Sequence, residues 1–444
     1  MTPSIHCGTF EPENHWRESD LAILPSLPDP RSMRVIEAMD EMLFVFCKPG
    51  DRLLSARKMN ADHFSYLNNL GFCFQSSNFD IYPTDYPTGK SPANLFTSIE
   101  RQTEDSDLAA FLSAGAQLEP FAVVPGITEM VSRYSLNSEF PSQQIIRHVN
   151  TKSYSLHVRD ALEIENIGVV VESLSALRDC GSRMLASGPF LIKDEYGVSG
   201  KGNQIVTQAS TLERIAGYLA RQIDAGKRMR FVLEPYLAKQ LDFSCQFHVG
   251  QDGTFTFISV QQLFNDGLAF GMSCSPGDDL VAKLEEAGYF SLMERVGKEL
   301  SAAEYFGHVC VDSMLLQDDR LAPIVEINAR KSMSLIKHAM DGYLGNQGQS
   351  GVLTSVTASH HGSMNFADFL SLLREKHLLY EAGENAGILP LSSGTLFSPG
   401  AISEGTDLRG RLYMEVVGAV AEQRTALLAT LTAEMGQAGF RVKN

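Results

Sequence analysis

The chain reads as a small parallel α/β unit followed by a larger α+β region, and three observations carry that reading. Short apolar runs, turns and helical stretches alternate up to about residue 140; the middle of the chain holds apolar strands joined by polar turns; the last hundred residues interleave helices with single strands.

Taken in order, residues 1–33 read as a tail. LPSLPDPRS sets Pro25, Pro28 and Pro30 close together, and each proline removes a backbone donor. MLFVF (42–46) reads as a buried strand stopped by Pro49-Gly50-Asp51, and a helix over 61–70 leads to GFCF (71–74), a second strand. FAVV (121–124) ends at Pro125-Gly126 as a third, with a helix from Thr128. Strand, turn and helix in repetition give a parallel α/β domain over 34–144.

From 145 the pattern changes. VNTKSYSLHV (149–158) and the apolar run IGVVVES (167–173) precede LIKDEYGVSGKGN (191–203). A helix follows, with Ser210 and Glu213 as a capping box and Leu212, Ile215, Ala216, Leu219 and Ile223 on one face. RFVLEPYL comes next, then DFSCQFHV and TFTFISVQQ, a hairpin turning at 250–253. Helical segments over 279–304 precede HVCVDSMLL and LAPIVEINA, two strands joined by QDDR. This region spans 145–345. Over 346–444, an α+β extension, the reading is a helix from Phe366 capped by Asn365, a loop ILPLSSGTLFSPG, a strand RLYMEVV, a helix over 421–436 and a short FRV end.

At 444 residues, with 44% hydrophobic and 20% charged residues, the chain is long enough for two or three α/β domains and ordinary for a soluble protein. A net charge of −16 disfavours nucleic acid or an anionic membrane as the main partner. Seven scattered cysteines with no CxxC pair, no secretion signal in the first thirty residues and no run near the length of a membrane span lead to the expectation of a cytoplasmic protein.

Three stretches carry chemistry. In LIKDEYGVSGKGN, Gly197, Gly200 and Gly202 free the backbone to approach a partner while Lys193 and Lys201 add charge, a phosphate cradle unlike a Walker loop; an ordinary surface turn is the alternative. In LAPIVEINARKSM, alternation puts Glu326, Asn328 and Arg330 on one face, roughly 7 Å apart, and a turn centred on Asp319 sets Asp312 nearly opposite Glu326. Two carboxylates and an amide oxygen suit Mg²⁺; a cross-strand Arg330–Glu326 ion pair is the alternative. In VLEPYLAKQLDF, Glu234 to Leu237 (with Tyr236) can form a slot for a base, and Asp242 can accept from a ribose, unless this is a plain strand, turn and strand. QQLFNDGLAFGMSCSP (261–276) reads as a mobile lid or a plain connection. His360 and His361 read as solvated loop residues.

The order of these parts over about 145–340 resembles the ATP-grasp superfamily. The resemblance implies an ATP-grasp fold with a preceding Rossmann-like domain. It also implies that Lys193, with Gly197, Ser199, Gly200 and Gly202, encloses the phosphates, that Glu234, Tyr236 and Leu237 hold adenine, and that Asp242 takes the ribose. Asp312, Glu326 and Asn328 would hold two Mg²⁺ ions, for which Mn²⁺ can substitute. Lys152 of NTKSYS would be the earlier nucleotide lysine, and Arg330 would face the γ-phosphate and the acyl intermediate. Ala329 stands where EINPR members have proline, and Cys310 where D-alanine ligases have an arginine. NTKSYS with EINARKS resembles ligases of antibiotic biosynthesis of the pheganomycin and butirosin types. This resemblance implies an ADP-forming carbon–nitrogen ligase joining an amino-acid or peptide carboxylate to an amine. A carrier-protein acceptor, a homodimer, a kinase and a non-catalytic ATP-binding protein stay open as alternatives.

Overall fold

Ile5 and Cys7 are fully buried in a four-residue strand, Ser4–Cys7, that lies inside a parallel sheet ordered Gln75–Ser76, Arg52–Leu54, Ser4–Cys7, Gln117–Pro120. The computed structural model describes residues 2–26, 30–82, 94–101, 106–165, 167–198, 201–266, 269–361, 364–397 and 408–443. The sheet corrects the expected tail. Its inner strand pairs Ile5 with both Arg52 and Leu118, partners far along the chain, and the prolines lie beyond it.

Other expectations in this unit shift for related reasons. MLFVF belongs to a 3₁₀ helix, Met39–Phe46, because Met42, Leu43 and Phe44 are all buried and an unbroken apolar run does not discriminate helix from strand. The strands at GFCF and FAVV lie at neighbouring residues, Gln75–Ser76 and Gln117–Pro120. Phe121–Val124 instead spends its carbonyls on distant partners: Phe121 O accepts from Lys331 N at 3.0 Å and Val123 O from Trp16 Nε1 at 2.8 Å. The helices Ala61–Asn69 and Ile127–Arg133 form as read, the first capped by Asn60.

A second, antiparallel sheet runs Val169–Val171, Phe231–Pro235, Phe190–Val198, Lys201–Val206. Helices Leu174–Ser187 and Ala209–Asp224 cover it, and Leu177, Phe190, Leu212, Ile215, Ala216, Leu219 and Phe231 make a core separate from the main one. The expected apolar face is there, but the N-cap is Gln208, so Ser210 already lies in the first turn and caps nothing.

The third sheet is antiparallel and nine-stranded among the described residues: Leu321–Asn328, Gly307–Leu316, Lys239–Val249, Phe255–Asp266, Ala269–Cys274, Gly351–His360, Leu408–Val417, Gly387–Pro390, with Arg441–Lys443 against Gly351–His360. The hairpins at 250–253 and QDDR are both present. The expected lid is largely sheet, since residues of Phe255–Asp266 and Ala269–Cys274 pair across a hairpin; Gly267 and Leu268 lie outside the described residues. His360 ends a strand and is buried against Phe397 and Phe440, whereas His361 is exposed beyond the strand, so the expected solvated reading holds for the second histidine and not for the first.

The C-terminal strands thus continue the sheet that carries EIN. Helix Met333–Gly345, capped by Ser332, crosses that sheet, and its Lys337 ion-pairs with Asp341 and, at 3.0 Å, with Glu415 on Leu408–Val417. The loop at Ser393 closes back onto the first unit, where Ser393 N and Gly394 N donate to the Glu41 carboxylate at 2.7 and 3.2 Å.

Candidate active site

Asn150, Thr151 and Lys152 open the site. Thr151 caps helix Lys152–Ala161 by accepting from Tyr154 N at 3.1 Å. Lys152, Ser155 and Arg159 follow at helical spacing and so share one face. That face lies along strand Leu321–Asn328: Ser155 Oγ accepts from Ile327 N at 3.0 Å, and Asn150 Oδ1 accepts from Ala329 N at 2.9 Å. The lysine is thereby delivered between two elements. Its ammonium ion-pairs with Glu326 and donates to Gly197 O at 2.9 Å, joining the EIN strand to the glycine hairpin.

Asp312 and Glu326 are directly opposed across Gly307–Leu316 and Leu321–Asn328, as the short turn implies. Asn328 Nδ2 donates to Asp312 Oδ2 at 3.0 Å, and Asn328 Oδ1 accepts from Arg330 Nη2 at 3.1 Å. Arg330 lies beyond the end of the strand at Asn328, and its ion-pair partner is Glu13, at 2.6 Å. The Arg330–Glu326 pair of the sequence reading is therefore replaced by two pairs, Lys152–Glu326 and Arg330–Glu13. Burial, then Glu326, pushes the Asp312 carboxyl up to about 7, with Arg330 and Lys152 pulling the other way. Burial first and Asp312 next push the Cys310 thiol up to about 12, so it is a poor nucleophile.

On the hairpin side, Lys193 is buried and ion-paired with Glu234, which Arg159 also reaches at 3.2 Å. Burial would raise Glu234, but Lys193 and Arg159 outweigh it and hold the carboxylate below its ordinary value. The sequence reading gives Lys193 to the phosphates and Glu234 to adenine; here the two side chains are ion-paired, because strands Phe190–Val198 and Phe231–Pro235 pair Leu191 with Glu234. Gly202 has φ +82°, and a Cβ there would meet Gly197 Cα at 3.0 Å, so the close approach of the two arms requires glycine. Ser199 and Gly200 lie outside the described residues. Tyr236 is exposed and its N–H donates to Pro189 O at 2.9 Å; Leu237 is half-buried. Asp242 is buried, accepts from Asn265 Nδ2 at 2.7 Å and pairs in register with Met314, two residues from Asp312.

The donor set fits a hard divalent cation. The two opposed carboxylates supply oxygen, as such an ion requires, whereas the Asn328 amide oxygen is held by Arg330 Nη2 here and would have to turn to join them. Among the described residues no group of three or more His, Cys, Asp and Glu forms a metal cage, so further ligands would come from Asn328 and from substrate phosphates. No helix among the described residues is long and apolar enough to cross a membrane.

Sequence reasoning missed Glu13, Asn150, Ser155 and Arg159. The helical spacing of Lys152, Ser155 and Arg159 was a usable signal; Glu13, 317 positions from Arg330, left none.

No family model matches the chain. It is 19% identical over 312 residues to a [butirosin acyl-carrier protein]–L-glutamate ligase of Niallia circulans, covering 69% of this chain and 67% of that protein. Among solved structures it resembles N5-carboxyaminoimidazole synthetase from Staphylococcus aureus, with TM-score 0.51, 11% identity and 97% of each chain covered. It also resembles the biotin carboxylase domain dimer of Hydrogenobacter thermophilus 2-oxoglutarate carboxylase, solved with MgADP, ADP and bicarbonate, with TM-score 0.53, 12% identity, 100% of this chain and 91% of that one. Both structural likenesses extend over nearly the whole chain. In fold, therefore, the chain is similar to these synthetase and biotin carboxylase structures.

Proposed function

We propose that the protein is an ADP-forming, ATP-dependent carbon–nitrogen ligase that activates an amino-acid or peptide carboxylate as an acyl phosphate and passes the acyl group to an amine. The observation that carries this is Lys152, whose ammonium links Glu326 of the opposed carboxylate pair to Gly197 of the glycine hairpin. In this reading Lys152, Lys193 and the hairpin glycines hold the phosphates, Glu234 to Leu237 hold adenine, and Asp242 holds the ribose. Residues 145–345 supply the nucleotide and catalytic side, and 346–444 complete the substrate side.

Asp312, Glu326 and Asn328 would hold Mg²⁺, two ions in our reading, with Mn²⁺ able to substitute. Bound there, Mg²⁺ would offset the phosphate charge that otherwise repels an incoming carboxylate. The chain's own residues do the rest by positioning. Arg330, fixed by Glu13 and Asn328, can neutralise the transferring phosphoryl group and then the tetrahedral oxyanion. The amine attacks the acyl carbon, the phosphate leaves, and the nitrogen proton is lost. We place this chemistry in the cytoplasm and in natural-product biosynthesis.

A second acceptor is favoured by one finding. The relative from Niallia circulans is named for loading glutamate onto a carrier protein, which makes a carrier-protein thiol the alternative to a small amine. The test is incubation with ATP, Mg²⁺ and pooled carboxylates and amines, with and without a phosphopantetheinylated carrier protein, read by phosphate release and product mass. A ligase releases phosphate only when carboxylate and acceptor are both present. ADP with a stable phosphorylated product identifies a kinase, and nucleotide binding without ADP a non-catalytic protein.

A further inference from the structure

We infer that Glu13 and Arg17 form a two-pronged strap from the parallel unit, in which Glu13 is the positioning residue for Arg330 and Arg17 sets the glycine hairpin against it. The route of the chain makes the strap. After Ser4–Cys7 it turns at Gly8, where φ is +148° and a Cβ would lie 2.7 Å from Phe121 Cβ. Phe10 then stacks on Phe121 at 4.1 Å, and the short helix Glu13–Trp16 comes next. Trp16 is fully buried and donates from Nε1 to Val123 O at 2.8 Å, which rivets the helix to the parallel unit.

The two charged ends of this segment reach different sides of the site. Glu13 Oε1 receives Arg330 Nε at 2.8 Å and Nη2 at 2.6 Å, while Arg17 ion-pairs with Asp194, the neighbour of Lys193. Asp194 stands where the hairpin arms close, with its Cβ 3.1 Å from the position of a Gly202 Cβ. Glu13 Oε2 is buried without a hydrogen-bond partner. A buried carboxylate left half-satisfied is poor for stability, so its retention beside Arg330 argues for orientation of the guanidinium. With Nε held by Glu13, Nη2 by Asn328 and Nη1 by Lys331 O, the arginine has one orientation available to it.

The two prongs should separate in kinetics. The turnover arm rests on the ligase reading; the other arms do not. In E13Q, kcat should fall about ten- to a hundredfold while the Kd of a fluorescent ATP analogue stays within about twofold, and E13D should restore part of the loss. In R17Q, the Kd and KM for nucleotide should rise about five- to tenfold with kcat nearly unchanged. The Arg330 Nε–H resonance, identified by its loss in R330K, should be protected from solvent exchange in the wild type and R17Q and unprotected in E13Q. Parallel losses of kcat, nucleotide affinity and melting temperature in both variants, or a resonance indifferent to E13Q, would overturn the strap. If the wild type forms no ADP with any substrate pool, the ligase reading fails alone, and the resonance and binding arms still decide this inference.

Discussion

Substituting Lys337 by methionine should break the join between the helix after strand Leu321–Asn328 and the C-terminal strands. Lys337 and Glu415 are both fully buried, and Asp341 shares the same ammonium. Removing one partner of a buried ion pair costs about 3–5 kcal/mol, because the remaining charge has no solvent to return to. The pair also carries a pH signature. Burial, only partly offset by Lys337, pushes Glu415 up to about 7, whereas the two carboxylates hold Lys337 above its ordinary value despite burial. These directions differ because two acids share one base. The folded protein therefore keeps a proton on Glu415 that the unfolded chain has lost, and this group's contribution declines as pH rises from about 4.5 to about 7. The gap corresponds to about 3 kcal/mol. Urea unfolding followed by circular dichroism at pH 5 and pH 8 measures both effects. K337M should lose about 3–5 kcal/mol at pH 8 and less at pH 5, while E415Q should lack the decline seen in the wild type. A K337M protein within about 1 kcal/mol of wild type at pH 8, or an E415Q protein with the wild-type pH slope, would refute the reasoning.

Two further outcomes concern the site and the strap. D312N removes the repulsion with Glu326 but also an oxygen charge, so Mg²⁺-dependent ADP binding should weaken at least about tenfold and turnover about a hundred- to a thousandfold, with thermal stability unchanged or higher; calorimetric titration with and without Mg²⁺ checks this, and equal ADP affinity in the variant would remove Asp312 from the metal set. G8A forces a side chain into a left-handed φ and against Phe121, and should cost about 1–3 kcal/mol; an unchanged melting curve would mean that the turn over Phe121 is not needed.

The parts of the site legible in the sequence were those made by near neighbours. Asp312 and Glu326 could be set opposite each other because only QDDR separates their strands, so register comes from counting. The hairpin glycines and the helix face at Leu212 to Leu219 were legible for the same reason. What escaped was set by distant packing. SIHC has too few residues to show alternation, and it is a strand only because 52–54 and 117–120 flank it. FAVV is as apolar as a strand, yet its carbonyls serve Lys331 and Trp16. The ion pair between Lys193 and Glu234 also escaped, because the strand pairing that puts them together is invisible in either segment alone.

The continuity of the large sheet sets a rule for dissecting the molecule. Strand Ala269–Cys274 meets Gly351–His360, so a chain cut after residue 345 would bare a row of unsatisfied amides and carbonyls along a hydrophobic edge. Such a fragment should self-associate rather than fold as a free-standing nucleotide binder. Grafting a different C-terminal region would succeed only where the donor brings a strand of matching register to the Met272–Thr354 seam.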